Sequence, residues 1–372
     1  MGKYRFDEIA INSTQKKKPI EEDRFHYVGL EHIDPECFEI QQYGSEVAPV
    51  GEKLVMKKGD ILFGKRRAYQ RKVAIAPCDG IFSAHGMVLR PKTGVIDSSY
   101  FPFFISSDTF METAIRISVG GLSPTINWKD LAKQEFELPS LEEQKNLADK
   151  LWAAYRLKEA YKKLLIATDE MVKSQFIEMF GNCKSQGTLS SLCATFIDGD
   201  WIESKDQSDN GIRLIQTGNV GFGFFKGRED KSRYITEETF KKLNCTEVVP
   251  GDILISRLPD PIGRACIVPE GIGKAITAVD CTIVRLNATL LPEFLISFSK
   301  TALYASQINK IKTGTTRLRV SRGNLGNVII PIPPIESQHH FAAIAQQADK
   351  SKFELKQCIE HIDKVIKSLI NG

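Results

Sequence analysis

Two groups of basic side chains are the residues of this sequence best suited to bind a charged partner. The first group comprises Lys65, Arg66, Arg67, Arg71 and Lys72, with Tyr69 and Gln70 among them and no acidic residue. The second group comprises Lys310, Lys312, Arg317, Arg319 and Arg322, also without an acidic residue between them. Lys and Arg neutralise nucleic-acid phosphates, and Arg and Gln can also hydrogen-bond base edges. One basic turn is equally well explained as a solvated loop, whereas two at related positions predict a DNA contact.

Patterns typical of nucleotide-binding enzymes are incomplete. Gly59, Gly64 and Lys65 are spaced as in a phosphate-binding loop, but Arg66 stands where Ser or Thr must reach a magnesium ion. A related stretch that begins at Gly251 lacks the Gly-Lys pair altogether. A duplicated phosphate site would keep that pair, so these residues do not predict one.

Patterns typical of metal-dependent enzymes are equally weak. Asp349, Glu354 and Lys356 have the order used by some nucleases, but they lie in a segment predicted to be helical, where a solvated face explains them. The sequence contains no His-Glu-x-x-His, no Gly-x-Ser-x-Gly and no Asn-Pro-Pro-Tyr. It therefore predicts no catalytic residues, no metal site and no bound cofactor.

The composition is that of an ordinary globular protein. The 372 residues suffice for two or three domains, and 42% are hydrophobic and 26% charged, with a net charge of +4. The eight cysteines include no Cys-x-x-Cys pair, which indicates reduced thiols rather than a zinc site. No apolar leader follows Met1 and no run of eighteen apolar residues occurs, so a cytoplasmic protein that does not span a membrane is expected.

A long helix must position these groups. The peptide LPSLEEQ, residues 138–144, contains a Pro-Ser turn followed by two acids, which is typical of a helix start. Apolar or bulky residues then recur at steps of four and three, and Gly181 is the first helix stop. The stripe comprises Leu147, Leu151, Ala154, Lys158, Tyr161, Leu165, Thr168 and Val172. Such a helix spans roughly 55 Å, which predicts a spacer.

The sequence contains an internal repeat. Gly-Asp-Ile-Leu at residues 59–62 recurs at 251–254, a shift of 251 − 59 = 192. LPSLEEQ recurs as IPPIESQ at residues 332–338, a shift of 332 − 138 = 194. Short strands are predicted at residues 61–63, 73–76 and 87–89, and helical structure at 100–117 and 295–308. The second long helix has the stripe Phe341, Ala345, Ala348, Lys352, Leu355, Ile359, Ile362, Ile366 and Leu369.

The repeat predicts an α+β fold with a defined architecture. A helix that leaves one globule and a second helix that starts from the next can share their stripes only by running antiparallel. We therefore expect two pseudo-symmetric mixed α/β globules separated by a long antiparallel two-helix coiled coil. Two different DNA-binding globules on one such molecule would suit a bipartite, non-palindromic DNA site. The expected boundaries are residues 1–137, 138–182, 183–331 and 332–372.

Together these motifs resemble one protein family. Two Gly-Asp-Ile-Leu globules, each followed by an [LI]-P-x-[LI]-E-x-Q helix start, resemble the specificity subunit of type I restriction-modification systems over nearly the whole chain. The resemblance implies that the globules are target-recognition domains for double-stranded DNA and that the subunit has no catalysis of its own. It also implies that two adenine-methyltransferase subunits bind to it, and restriction and translocase subunits through them.

The family motifs are structural, so the DNA contacts are predicted from charge and loop placement alone. Besides the two basic groups, Arg257 and Arg264 flank the second-half turn and are added to the predicted contacts. The first-half loop at residues 119–125 lacks the arginines of its counterpart, and residues 201–233 have no clear counterpart. The outer helix faces near Glu143, Lys150 and Tyr155 are predicted to bind the methyltransferase.

Two other functions remain open from the sequence. One is an unpaired or inhibitory relative that binds the methyltransferase but no DNA. The other is a nuclease or NTPase with a site that shows no known motif.

Overall fold

The computed structural model describes residues 2–371 and divides into two compact units. Unit 1 comprises Met1–Lys162 and Lys356–Gly372, and unit 2 comprises Lys163–Leu355. Within the described residues no helix is both long and apolar enough to cross a membrane.

Nineteen strands are described, most of them short. In unit 1 they are β1 Gly2–Arg5, β2 Ala10–Ser13, β3 Lys16–Lys17, β4 Tyr27–Val28, β5 Lys53–Met56, β6 Ile61–Phe63, β7 Val73–Ile75, β8 Gly80–Phe82, β9 Met87–Pro91 and β10 Glu135–Leu138. In unit 2 they are β11 Gln186–Thr188, β12 Cys193–Asp198, β13 Ile212–Ile215, β14 Tyr234–Ile235, β15 Ile253–Ser256, β16 Ala265–Ile267, β17 Ala275–Thr277, β18 Cys281–Leu286 and β19 Ile329–Pro331. The strands predicted around Leu62, Ala74 and Val88 are confirmed as β6, β7 and β9.

Ten α-helices accompany these strands in the described residues. They are α1 Phe6–Ile9, α2 Phe101–Ser106, α3 Asp108–Arg116, α4 Trp128–Leu131, α5 Leu141–Phe180, α6 Glu237–Lys242, α7 Pro292–Ser299, α8 Ala302–Ile311, α9 Arg322–Gly326 and α10 Ile335–Asn371. The two long helices are confirmed as α5 and α10. The helical stretch predicted at residues 295–308 is two helices, because Thr301 interrupts it and caps α8 by accepting the Tyr304 N–H.

The sheets of the two units have the same order. Strands β2-β9-β6-β7 form a four-stranded antiparallel sheet in unit 1, and β12-β18-β15-β16 do so in unit 2. The pairs β1–β10 and β11–β19 are also antiparallel. A further sheet contains a parallel pair in each unit, β4–β8 and β13–β17. The internal repeat predicted from the sequence is therefore confirmed.

The aspartate of the Gly-Asp-Ile-Leu motif is buried and forms the same ion pair in both units. Gly59 and Gly251 both have φ +89°, a conformation that favours glycine. Asp60 Oδ1 accepts the Arg90 Nε–H at 2.7 Å, and Asp252 Oδ1 accepts the Arg285 Nε–H at 2.7 Å. A second hydrogen bond makes each pair bidentate. The motif is thus a structural tie between a turn and the central sheet.

The glutamine that ends each helix-start motif is a buried clamp. Gln144 accepts the Asp97 N–H at 2.8 Å and donates to the carbonyl oxygens of Val95 and Pro139. Gln338 makes the same three hydrogen bonds in unit 2, to Leu291, Thr289 and Pro333. Both side chains are at most 1% exposed. Each clamp fastens the first turn of a long helix to the chain that enters α2 or α7.

The long helices pair antiparallel within each unit. In unit 1, Lys158 of α5 forms an ion pair with Asp363 of α10 at 2.5 Å. In unit 2, Lys352 of α10 forms an ion pair with Asp169 of α5 at 2.7 Å. Between the two pairs α5 advances by eleven residues while α10 goes back by eleven (169 − 158 = 363 − 352 = 11). All members of both predicted stripes are buried or half-buried, which confirms the paired faces.

Candidate nucleic-acid interface

In unit 1 the turn between β6 and β7 contacts a hairpin loop. Val119 and Thr125 close the loop by exchanging backbone hydrogen bonds of 3.0 and 2.9 Å, and Gly120 has φ +114°. The turn is joined to it because the Arg67 N–H donates to the Pro124 carbonyl oxygen at 2.7 Å. The backbone of the basic turn is therefore held in place rather than free.

Two guanidinium groups meet at the tip of this loop. Arg66 Nη2 donates to Ser123 Oγ at 3.2 Å, and Arg67 Nη2 donates to the same oxygen at 3.1 Å. A hydroxyl does not neutralise either cation. Among the described residues of the first basic group, only Arg71 forms an ion pair. The loop therefore orients Arg66 and Arg67 and leaves their charge available.

His85 lies beside this pair in a basic environment. Its Nε2 is 3.4 Å from Arg66 Nη1. Partial burial lowers the His85 pKa below its usual value, and repulsion from Arg66, Lys65 and Lys53 lowers it further. Burial also lowers the Lys65 pKa, with repulsion from Lys16 as a second cause. A concentration of positive charge with a neutral imidazole is suited to phosphates and base edges.

The other members of the first basic group are placed differently. Tyr69 is 54% exposed, and Gln70 is half-buried next to it. Arg71 turns to Asp108, with which it forms an ion pair at 2.5 Å. Lys72 donates to a backbone carbonyl oxygen at 2.6 Å. The structure thus separates Arg71 and Lys72, which have internal partners, from the Arg66 and Arg67 pair.

Unit 2 has the same hairpin with its own arginines. Thr313 and Arg319 exchange backbone hydrogen bonds of 2.9 Å each, and Gly314 has φ +105°. Arg317 and Arg319 are exposed on this loop, and Lys310 is exposed on the helix that precedes it. In the described part of the chain these three cations are outside every ion pair of unit 2.

Arg257 and Arg264 have internal roles. Arg257 donates to two backbone carbonyl oxygens, at 2.6 and 3.2 Å, and forms an ion pair with Asp198 at 3.2 Å. Arg264 donates to Ser256 Oγ at 3.1 Å. The Arg257 bond to Val320 joins the sheet to the hairpin, and the Arg264 bond to Ser256 stays within the sheet, so both side chains support the surface rather than project from it.

Two further predicted contacts have acidic neighbours. Lys312 forms an ion pair with Asp260 at 2.5 Å, and Arg322 lies 3.9 Å from Asp198. Both aspartates come from distant parts of the sequence. Counting acids along the chain could not reveal them, because only the fold brings them to the basic loop.

In both units arginines lie at the corner where the hairpin loop meets the turn of the sheet. The two units supply these arginines from different segments of the chain. Ser123 and Arg317 are counterparts under the shift of 194, as are Thr125 and Arg319. Unit 1 therefore has a polar loop covered by arginines of the β6–β7 turn, whereas unit 2 has the arginines in the loop itself. This explains why the first-half loop looks unlike its counterpart.

Sequence reasoning missed four residues of the unit 1 surface. His85 and Ser123 carry no motif, and Lys16 and Lys53 lie in segments that are typical of a solvated loop and a strand. The lysine run at residues 16–18 was the one signal in the sequence.

Comparisons with known proteins agree with the repeat. The model of the family "Type I restriction modification DNA specificity domain" matches residues 8–166 and again residues 187–364. The chain belongs to this family. Each half therefore carries one type I DNA specificity domain.

Individual relatives are distant. The EcoDI type I restriction enzyme specificity subunit of Escherichia coli is 28% identical over 142 residues, which is 38% of this chain and 31% of that subunit. The MjaVIII specificity subunit of Methanocaldococcus jannaschii is 21% identical over 337 residues, 84% of this chain and 75% of that subunit. A chain from a solved type I restriction-modification system has the same fold, with TM-score 0.62, 18% identity and coverage of 99% and 96%.

The patterns that resembled enzyme sites have structural explanations in this specificity-domain fold. The stretch around Leu62 that resembled a phosphate-binding loop is strand β6. Asp349 pairs with Lys352, and no metal-binding group of three His, Cys, Asp or Glu occurs in the described residues. All eight cysteines are free thiols there.

One predicted methyltransferase-binding position is wrong. Tyr155 is only 3% exposed and its hydroxyl accepts the Phe38 N–H at 2.9 Å, so it belongs to the core. Glu143 caps the start of α5 through Ser140 and is exposed, as is Lys150. Those two stay predictions.

Proposed function

We propose that this chain is a specificity subunit that reads a bipartite, asymmetric DNA target. The observation that carries the proposal is the repeated corner at which a hairpin loop and a sheet turn present unpaired arginines in each of two DNA specificity domains. Unit 1 offers Arg66 and Arg67 there, and unit 2 offers Arg317 and Arg319. Because the segments that carry the arginines differ, the two units would read different half-sites.

Within each surface the roles are divided by exposure and charge. The arginines and Lys310 supply the phosphate contacts that dominate affinity. Tyr69, Gln70 and His85 are placed to contact base edges beside them, since neutral side chains discriminate bases without adding to the salt-dependent term. Arg257 and Lys312 hold the unit 2 hairpin in position through Val320 and Asp260, and Arg264 is occupied by its bond to Ser256 in the sheet.

The proposal also assigns domains and partners. Residues 1–137 and 183–331 would be the recognition domains, and residues 138–182 and 332–372 the spacer helices. Two methyltransferase subunits would bind one copy of this chain, one for each half of the repeat, and restriction and translocase subunits would join through them. The chain would perform no chemistry and would act in the cytoplasm, where such a complex meets chromosomal DNA.

Mobility-shift assays with the full chain test the proposal. The chain is mixed with duplex DNA of random sequence, with and without the methyltransferase subunit from the same system. We expect the assembled complex to enrich one asymmetric target with two defined parts. An assembled complex without sequence preference would contradict the proposal, as would DNA cleavage or nucleotide hydrolysis by the chain alone.

A further inference from the structure

A leucine at the tip of the unit 1 hairpin loop projects into water. Leu122 is 96% exposed, more than any other large apolar side chain in the described residues. Folding therefore gains almost nothing from its apolar surface, which stays hydrated. Single exposed apolar residues are common on protein surfaces, so the surroundings of Leu122 decide whether it has a function.

The loop that carries Leu122 is fixed at its base. Val119 and Thr125 close it by their two backbone hydrogen bonds. The chain that leaves the loop is also held, because the Ile126 N–H donates to the Lys65 carbonyl oxygen at 3.0 Å. Leu122 is thus presented at a defined place beside the basic turn.

The backbone on one side of Leu122 is narrow. Gly120 and Gly121 precede it, and the φ of +114° at Gly120 turns the chain in a way that favours glycine. A Cβ added at Gly121 would meet no atom within 4 Å, so the space on this side of the tip is open. A tip with one large side chain can enter a gap that a broader loop could not.

Two cations adjoin the leucine on its other side. Ser123 follows Leu122 in the chain, and its Oγ accepts from Arg66 at 3.2 Å and from Arg67 at 3.1 Å. If these guanidinium groups bind phosphates, Leu122 lies next to the same stretch of DNA backbone. An apolar side chain gains nothing from a phosphate, so its partner there is a base.

A leucine can contact bases in two ways. It can touch a thymine methyl group in the major groove, or it can enter between two base pairs and partly unstack them. The second contact needs a fixed, narrow tip that extends beyond its neighbours. The exposure of Leu122 and the open space at Gly121 favour the second contact.

The internal repeat limits this feature to unit 1. Under the shift of 194, Leu122 corresponds to Thr316 and Gly121 to Thr315. Both threonines are exposed, but they are polar and β-branched. The unit 2 hairpin therefore has neither the apolar tip nor the narrow backbone before it.

We infer that Leu122 inserts between two base pairs of the unit 1 half-site, with Arg66 and Arg67 on the adjoining phosphates. The inference rests on the proposed function, which supplies the DNA. Inserted apolar side chains kink a duplex by roughly 20–90°, and pyrimidine–purine steps are the most easily kinked. Leu122 thus adds a preference for such a step without a hydrogen bond to any base.

The bend of the bound target tests the inference. The target selected by the wild-type complex is placed at different positions in longer duplexes, and the mobilities of the bound duplexes give the bend angle. We expect Leu122→Ala, assembled with the methyltransferase, to reduce the bend by roughly 20° or more. Its affinity should fall by about tenfold. Leu122→Met should keep both, because methionine can also insert.

A fluorescent base locates the insertion. 2-Aminopurine, which brightens when it is unstacked, replaces each adenine of both target strands in turn. We expect an increase at a pyrimidine–purine step in the half-site that depends on Arg66 and Arg67, and its loss in Leu122→Ala. The adenine that the methyltransferase extrudes should brighten separately and should still do so in the variant.

The matched control is Leu303→Ala. Leu303 is 58% exposed on α8 of unit 2, so the chemical change is the same at a place outside the hairpin. This control should bend and unstack the target as the wild type does. Leu122→Ala itself should keep the thermal unfolding temperature of the free chain, since the side chain it removes is hydrated.

The outcomes separate this inference from the proposed function. If the wild-type complex selects no two-part target, the proposed function fails and the inserted leucine with it. If a target is selected but Leu122→Ala bends it as the wild type does, insertion alone is overturned. Lower affinity with an unchanged bend and a lost preference for one thymine would assign Leu122 to a thymine methyl group instead.

Discussion

Lys158 and Asp363 form a partly buried ion pair that the internal repeat reproduces with exchanged helices. Their side chains meet at 2.5 Å, and Lys158 is only 5% exposed. The shift of 194 converts Lys158 into Lys352 and Asp169 into Asp363 (352 − 158 = 363 − 169 = 194), and Lys352 pairs with Asp169. The polar position in both apolar stripes is thus one device used twice. Apolar side chains slide along a seam at little cost, whereas a charge pair satisfies only one register.

Reversing one charge should destabilise the helix pair in unit 1. We expect Lys158→Glu to lower the free energy of unfolding by about 2 kcal/mol, less than for a fully buried pair because Asp363 is one-third exposed. Urea titration followed by circular dichroism measures the loss. Adding Asp363→Lys to this variant should recover most of it.

The control for this pair is Lys150→Glu, an exposed position on the same helix. It should change the stability by less than about 0.5 kcal/mol. An equal loss in control and variant, or no recovery in the double variant, would show that the pair has no register role.

The two buried glutamine clamps should contribute more to the free energy of unfolding than exposed glutamines do. Gln144→Ala removes three hydrogen bonds and leaves buried backbone groups unsatisfied, so we expect a loss of about 2 kcal/mol in unfolding experiments. Gln338→Ala should cost a similar amount. Gln357→Ala, which is exposed on α10, is the matched control and should be neutral. Equal stabilities of all three variants would contradict the clamp.

The arginine pair of unit 1 should act on DNA through phosphates. In the assembled complex, Arg66→Ala with Arg67→Ala should weaken binding and lower the slope of log K against log salt by about 0.9 for each phosphate that is no longer neutralised. Assembly with the methyltransferase should remain intact. Arg71→Ala is the control, because Asp108 already holds that side chain. Unchanged affinity across a salt series would remove Arg66 and Arg67 from the interface.

DNA binding should depend on pH through His85. In the free chain the His85 pKa is lowered by burial and by neighbouring cations. Phosphates would offset those cations and raise the pKa in the complex, so the complex binds a proton more readily than the free chain. Affinity should therefore be constant above about pH 7.5 and rise as the pH falls through the pKa of the complex. Filter binding between about pH 5.5 and pH 8 tests this.

The control for the pH effect is His85→Asn. It keeps a polar side chain but cannot titrate, so its affinity should lose the pH dependence. The same pH profile in both proteins would assign the dependence to another group.

Most of the fold could be predicted because its signals are periodic or repeated. Strands β6, β7 and β9 follow from β-branched runs between turn residues, and α5 and α10 follow from stripes at steps of four and three. The break between α7 and α8 could not, because Thr301 acts through a local cap inside an apolar stretch.

The candidate site was harder to predict because several of its predicted cations acquire acidic partners only in the folded chain. Arg257 and Lys312 look as basic in the sequence as Arg317 does, but Asp198 and Asp260 approach them only in the folded chain. His85 carried no signal at all. Tyr155 was misplaced because an aromatic residue next to an apolar stripe can face either water or a neighbouring sheet.

The central claim is that each unit reads one half of a two-part DNA target. The most direct measurement is selection of bound targets from a random duplex library, using the chain assembled with its methyltransferase. Three proteins are compared: the wild type, the Arg66→Ala, Arg67→Ala variant, and the Arg317→Ala, Arg319→Ala variant. We predict a two-part asymmetric motif for the wild type and a loss of sequence information in a different half for each variant. A single undivided motif, or the same half weakened by both variants, would contradict the account.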